Sequence, residues 1–455
     1  MKRREFLSLA GAGAAQFAAG NSLECLARGL FIPSRAASDY TLRIQPLNLE
    51  LAPGINIQTV GYNGQVPGPL LRLKEGVPVS IDVVNETLVP ELVHWHGIHI
   101  DSINDGAMEE GSPMLEPHSK LTYRFTPNPS GSRWYHTHTA AGQSLLQAAY
   151  TGQFGFLYVE PKQEAGDYDQ EIFLAIHHWE PFWMRMGPPV DALEAGYKYA
   201  TFNDKMQSAA EPIRVRRGER VLFRLLNASA TKSVSLALPG HRFTVIAMDG
   251  NLVPQPRSVE VLTMDVAERL DVIVEMSAPG VWVFGSTDEA ERQSGLGRVV
   301  EYAGSAGTPV WIDPGALHWD YLDFANESKQ GAGAEELPMI FAPIAADKNG
   351  FQRWTVNGKS FPDAPTIKVQ RGHRYRMVFV NSSSEAHPLH LHRHSFEVVS
   401  IAGRPCSGLF KDVVTIAPYS SMKVDFVADN PGKTLFHCHQ QLHMDYGFMQ
   451  LLEYV

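Results

Sequence analysis

LRLKEGVPVSIDVVN (71–85), IRVRRGERVLFRLLN (213–227) and IKVQRGHRYRMVFVN (367–381) are three versions of one pattern. Each alternates apolar and polar residues, breaks at a glycine (Gly76, Gly218, Gly372) and ends on an asparagine nine residues later (Asn85, Asn227, Asn381). A period of two puts one face of a strand in a core and the other toward solvent, and a glycine between two such runs marks a turn. Other short alternating segments, such as Leu121-Thr122-Tyr123-Arg124-Phe125, are separated by Pro, Gly and Asn, with few long helical periods. Each copy is followed by a second turn with proline close ahead of glycine: Pro129/Gly131, Pro279/Gly280 and Pro431/Gly432. The repeat predicts an all-β chain of three sandwich or barrel domains over 38–162, 163–310 and 335–455, with 311–334 as a linker or cover segment.

Composition narrows the function. The 455 residues are 44% hydrophobic and 19% charged, which supports a packed core rather than disorder. A net charge of −10 argues against a nucleic-acid partner, which calls for a basic stripe. Three cysteines (Cys25, Cys406, Cys438) cannot build a disulfide framework.

The chain opens Lys2-Arg3-Arg4-Glu5-Phe6-Leu7, then an Ala/Gly-rich apolar run from Ser8 to Gly20 and small residues near Ala36-Ala37. This reads as a signal peptide over 1–37. The run is too short to cross a membrane, and no later segment reaches about 18 apolar residues, so the chain is not expected to span one. Paired arginines before Phe-Leu resemble a twin-arginine export signal, whose machinery carries folded proteins, with an ordinary secretory signal as the alternative. Cleavage near Ala37 removes Cys25, and Glu24 ahead of it argues against a lipid anchor. Cys406 and Cys438 remain, in a periplasmic or secreted setting where they could pair.

Histidine placement decides the chemistry. Nine and eleven residues after the asparagine stand His94/His96 in the first copy and His390/His392 in the third, against Leu236/Leu238 in the second. Five and seven residues after the second-turn glycine stand His136/His138 and His437/His439, against Gly285/Thr287. On a strand, residues i and i+2 share a face, so each His-x-His pair aims two imidazoles at one point. Four pairs from two related domains offer eight imidazoles, enough for a cluster of several metal ions with an open position for a ligand. Imidazole alone does not name the metal. Cys438 does: it lies between His437 and His439 and points to the opposite face. With His387 and His443 in the same copy it supplies the two-His, one-Cys set of a blue-copper site. As a copper thiolate Cys438 leaves Cys406 free, a small buried hydrophobe. His99, His118, His177, His178, His241, His318, His373 and His394 fall outside the pattern and read as surface or hydrogen-bonded residues.

HWHG (94–97), WYHTH (134–138), HPLHLH (387–392) and HCHQQLH (437–443) resemble, in order, the four copper motifs of three-domain multicopper oxidases of the laccase-like bacterial type. The resemblance covers nearly the whole mature chain and implies three cupredoxin-like Greek-key domains holding four copper ions. By motif position His387, Cys438 and His443 would bind the type 1 copper, and His94 and His390 the type 2. His96, His136, His138, His392, His437 and His439 would bind the type 3 pair. It implies one-electron oxidation of a donor, with O2 reduced to two waters at the trinuclear cluster and electrons passing from Cys438 to His437 and His439. Asp105 sits where such oxidases keep an acid near the type 2 copper, to orient water and pass protons. Many bacterial relatives place Glu after the second type 1 histidine; here stand Met444 and Asp445, so a second proton donor is unassigned. Ten residues beyond Cys438, where many have an axial Met, stands Phe448, followed by Met449. A phenyl ring cannot donate to copper, and its presence is expected to raise the type 1 potential.

The leading expectation is a laccase-like oxidase of phenols or aromatic amines. The competing one is an oxidase of cuprous, manganous or ferrous ions. Scattered methionines, with Met184/Met186 beside Trp183 expected to pack, favour the organic donor. A scaffold protein with its copper sites lost, or a nitrite reductase lacking the binuclear pair, conflicts with the complete ligand set.

Overall fold

The computed structural model describes residues 37–455 except 164–165, 189, 316–317 and 329–333. The stretch read as an export signal, Cys25 included, lies outside the described residues up to Ala37.

The three repeated asparagines explain why the pattern recurs. Each is buried where a strand leaves the sheet, and each pins the next loop in the same way. Asn85 Nδ2 donates to the carbonyls of Val89 (2.7 Å) and Leu115 (2.9 Å), while Oδ1 accepts from Thr87 N at 2.9 Å. Asn381 repeats this with Glu385 O (2.7 Å), Ala417 O (3.0 Å) and Ser383 N (3.0 Å). Asn227 does so with Lys232 O (2.8 Å), Met264 O (3.2 Å) and Ser229 N (3.1 Å). The side chain thus satisfies backbone groups that the ladder leaves unpaired. Nine residues earlier the turn glycines take φ of +76°, +87° and +82°, a left-handed conformation that a Cβ would strain.

Around these staples the described strands form six sheets, two for each copy of the repeat. In the first copy Tyr40–Ala52, Ile55–Tyr62, Val79–Asn85 and Lys120–Phe125 make one sheet, and Gly68–Lys74, Val93–His96, Gly131–Thr137 and Phe154–Glu160 the other. Val79–Asn85 buries every second residue (Val79, Ile81, Val83, Asn85), the period-two pattern read from its sequence. Ile81, Val83, Trp95, Tyr123 and Tyr135 meet between the two sheets, and each such buried side chain contributes about 1.5–3 kcal/mol. Helix is confined to short turns and two five-residue α-helices, Glu289–Gln293 and Gln441–Asp445. The chain is therefore all-β, and among the described residues no helix is long and apolar enough to cross a membrane. The segment after 311 does more than tether: Asn326–Glu327 pairs with Ser407 and Cys406.

Strand register then sets up the site. In the first copy Val93–His96 lies antiparallel to Gly131–Thr137 with His94 opposite His136. In the third, His387–Leu391 lies beside Lys433–Cys438 with His390 opposite His437. The second copy pairs Leu236 with Ser286 and Ala237 with Gly285 there, one residue out of the other copies' register and with no imidazole or thiol.

Candidate metal centre

The histidines gather as the motifs require. His94 Nε2 and His390 Nε2, from different copies, are 3.4 Å apart. His138, His392 and His437 form one trio, with ring centroids 4.9, 5.2 and 5.0 Å apart and donor atoms within 4.8 Å of one another. His96, His136 and His439 form a second, with centroids 5.7, 5.1 and 5.2 Å apart. All eight rings are buried.

A third trio lies on the other face of the Lys433–Cys438 strand. His387 Nδ1 and His443 Nδ1 are 3.2 Å apart, and Cys438 Sγ stands 3.8 and 3.5 Å from them. A metal in a trigonal plane with bonds of about 2.0–2.3 Å would hold its donors roughly 3.5–4 Å apart. The triangle fits such an ion. Cys406, by contrast, is buried away from it with Sγ toward Val398 O at 3.3 Å, and both cysteines are free thiols.

Hydrogen bonds orient the rings for the same task. The Nδ1–H groups of His94, His136, His390 and His437 donate to the carbonyls of Asp105 (2.9 Å), Thr137 (2.7 Å), Asp412 (2.7 Å) and Cys438 (2.9 Å). His392 Nδ1 donates to Asp105 Oδ2 at 2.7 Å. These partners, which assign the tautomers, leave each Nε2 as a lone pair turned inward. His136 Nε2, His138 Nε2, His439 Nε2 and His96 Nδ1 have no hydrogen-bond partner although buried, a costly condition that a metal ion relieves. Burial, followed by repulsion among the rings, pushes the pKa of His96, His138, His392 and His439 well below the usual imidazole value, and that of His390 down to about 3. At neutral pH these rings are neutral, as ligation requires.

Family models described as multicopper oxidase match residues 43–164, 183–300 and 336–454 in order. The chain belongs to the multicopper oxidase family. It is an oxidoreductase that uses O2 and a reductant, with copper as its metal. Multicopper oxidase MmcO of Mycobacterium tuberculosis is 29% identical, over 91% of this chain and 86% of that protein. A multicopper oxidase structure from Pseudomonas thermotolerans is 25% identical with a TM-score of 0.71, covering 92% of this chain and 100% of that one. Fet3p, a multicopper oxidase that functions in iron import, shares the fold at a TM-score of 0.78 and 20% identity, over 91% and 90% of the two chains.

In this multicopper oxidase Asp105 is fully buried. Its Oδ2 reaches both His392 Nδ1 and His94 Nδ1 (3.2 Å), and its Oδ1 has no partner. It therefore lies behind two of the clustered rings, from different copies, rather than behind one alone. Phe448 is fully buried with its ring centroid 4.9 Å from that of His387, while Met449 sits on the half-exposed face of the strand Met449–Tyr454. If His387, Cys438 and His443 hold a type 1 copper, Phe448→Met offers that ion a thioether in place of a phenyl ring, and its potential should fall in redox titration. An unchanged potential would sink the axial reading.

The expectation that Met184 and Met186 pack is corrected. They are 37% and 36% exposed, because the hairpin Gln170–Arg185/Leu193–Phe202 runs beyond its domain core at that end. Of the eight remaining histidines, His177, His178, His241 and His394 are buried on hydrogen-bond partners, His99 is half-buried with its Nε2 3.5 Å from Ser395 Oγ, and His118, His318 and His373 are exposed.

Sequence reasoning missed a set of buried charges. Asp412 accepts from His96 Nε2 at 3.1 Å and is held by Arg269 (2.6 Å to each oxygen) and Arg133 (3.2 Å). Lys411-Asp412 inside the apolar run Leu409–Ile416 was the available signal. Glu110, also buried, accepts from Leu435 N at 2.7 Å and lies 3.5 Å from His392 Nδ1.

Glu91 is another. It stands three residues before His94, as His387 stands before His390, and Thr137 opposes Val93 as Cys438 opposes Leu389. The position of the third copy's His387/Cys438/His443 trio thus holds a carboxyl group in the first. Glu91 accepts from Thr137 Oγ1 and Gln153 Nε2, both at 3.3 Å, but burial dominates and raises its pKa to about 7. The unfolded value is about 4.3, so the folded chain binds this proton more tightly. The associated stability is complete below about pH 4 and lost as pH rises through 7, by about 4 kcal/mol. Glu91→Gln should raise the melting temperature of metal-free protein at pH 8 by a few degrees and change it little at pH 4.5. Equal effects at both pH values would contradict the assignment.

Proposed function

We propose that this chain is a laccase-like oxidase of phenolic or aromatic amine donors, exported through a twin-arginine signal to the periplasm or beyond. His387, Cys438 and His443 would hold a type 1 copper, His94 and His390 a type 2, and the trios His96/His136/His439 and His138/His392/His437 a type 3 pair. Bound copper would supply one-electron redox change at the first position and four-electron reduction of O2 to two waters at the cluster.

The carrying observation is the surround of His443, where the donor must approach. Phe351 stacks on Tyr446 (4.8 Å, 8°), three residues after His443, and Trp183 meets Phe351 edge-on at 5.0 Å. The hairpin bearing Trp183 is held there by Leu193 N donating to Gly350 O at 2.8 Å. An aromatic rim of this kind favours a flat organic donor. Glu385 Oε2 is 3.4 Å from His443 Nε2, and its side chain is 18% exposed. It can accept the proton that a phenol gives up as its electron leaves through the imidazole. With copper bound on both faces as the acceptor, Cys438 would give the electron a covalent path from one face of its strand to His437 and His439 on the other. The hydrogen bond from His437 Nδ1 to Cys438 O shortens that route.

One observation favours a metal-ion donor. Glu194 on the hairpin interacts electrostatically with both His443 and Glu385, so two carboxyl groups face this edge, with Met184 and Met186 farther along the same arm. Oxygen uptake by copper-loaded protein, with a methoxyphenol compared against cuprous and ferrous ion, decides between the two. Fast uptake with the phenol and little with either ion is expected; the reverse would overturn the organic reading.

A further inference from the structure

Of the cluster imidazoles whose hydrogen bonds assign a tautomer, five donate through Nδ1 and turn Nε2 inward. His96 is reversed. Its Nε2 reaches Asp412 Oδ1 at 3.1 Å, and its Nδ1 is the buried atom left without a partner. A carboxylate only accepts, so the proton on His96 must sit on Nε2 and the lone pair on Nδ1.

Asp412 cannot rotate away from this role. Its two oxygens receive Nη1 and Nη2 of Arg269, each at 2.6 Å, in a fork-to-fork pair, and Oδ2 also receives Arg133 Nη1 at 3.2 Å. Arg269 is itself fixed, donating to Ser132 O (3.2 Å), Ala267 O (3.1 Å) and Asp249 O (3.2 Å). Arg133 donates to Ser130 O (2.8 Å) and Asn251 Oδ1 (3.1 Å). Asp412 follows the strand Arg404–Lys411 of the third copy, Arg133 and His96 come from the first, and Arg269 from the second. The backbone carbonyl of Asp412 also receives His390 Nδ1.

We infer that Asp412 is a positioning residue for the binuclear site, holding His96 in the tautomer opposite to its neighbours, and that Arg269 makes the ligand-free second copy a determinant of copper retention there. The inference rests on the copper assignment above for its second half only; the tautomer exists without metal.

Long-range nitrogen–proton correlation on metal-free protein labelled with 15N-histidine tests the first half. His96 is expected to carry its proton on Nε2, and His94, His136, His390, His392 and His437 theirs on Nδ1. A wild-type His96 protonated on Nδ1 overturns the inference whatever the copper content. The second half is tested with D412L/R269M, which removes the two opposite charges together and leaves no acceptor for His96. After loading with Cu(II) and dialysis against graded chelator, the variant should lose one copper per chain first, its retention weakened roughly 10- to 100-fold. It should keep the blue absorption of the Cys438 site. A variant that melts like wild type and retains all its copper with unchanged affinity overturns the positioning role.

Discussion

Serine in place of Cys438 should bring oxygen uptake down to the level of metal-free protein with any donor. The substitution is nearly isosteric in a fully buried position, so the strand Lys433–Cys438 and its pairing with His387–Leu391 should survive. A hydroxyl remains protonated at neutral pH and is a hard, weak donor, whereas the blue site depends on a soft thiolate. The His387/His443 pair alone would then hold copper poorly. Cys438→Ser should lose one copper per chain together with the blue absorption, while the histidine cluster on the opposite face keeps the rest. Three measurements separate the outcomes: copper per chain, visible spectrum and oxygen uptake with a methoxyphenol. Retained uptake at full copper content would mean that electrons enter elsewhere, and the functional reading would fall with it.

Asp105→Asn should cut turnover by about 10²- to 10⁴-fold, the range typical of a lost proton-transfer group. Asn keeps the size of Asp105 and can still accept from His392 Nδ1, so ring orientation is preserved. What it loses is the ability to hold a proton on Oδ1, the oxygen with no partner in the structure. Reduction of O2 to water consumes four protons, and donor oxidation needs none at this end of the molecule. Anaerobic bleaching of the blue absorption by donor should therefore run at the wild-type rate, and recovery of the colour on adding O2 should be slow. Equal slowing of both phases would show that Asp105 serves only to hold His94 and His392.

Three aspects of the site were legible in the residues. The Gly-to-Asn repeat announced strands, and its asparagines prove to be the staples that end them. His-x-His spacing fixed which imidazoles share a face, because the side-chain period of a strand is two. Cys438 between two of them had to point the other way. The aromatic and acidic surround of His443 was not legible. The hairpin residues Trp183 and Glu194 are separated from Phe351 and Glu385 by long stretches of chain, and only the hairpin's reach beyond its own core brings them together. Met184 and Met186 were misjudged for the same reason, since an apolar residue at alternating spacing reads as buried unless the end of the sheet is known.

By itself, then, the sequence determined the all-β repeat, the candidate ligand residues and their division between two faces of a strand, all consequences of local geometry with a short period. The tertiary structure alone decided which histidines meet across copies, which ring nitrogen each one offers, and which charges stand behind them. Those choices depend on contacts such as His96 with Asp412, 316 residues apart, and Arg269 with Asp412, 143 apart. No local pattern encodes them, because the free energy that keeps a carboxylate and two guanidinium groups out of water comes from their meeting one another in a packed interior.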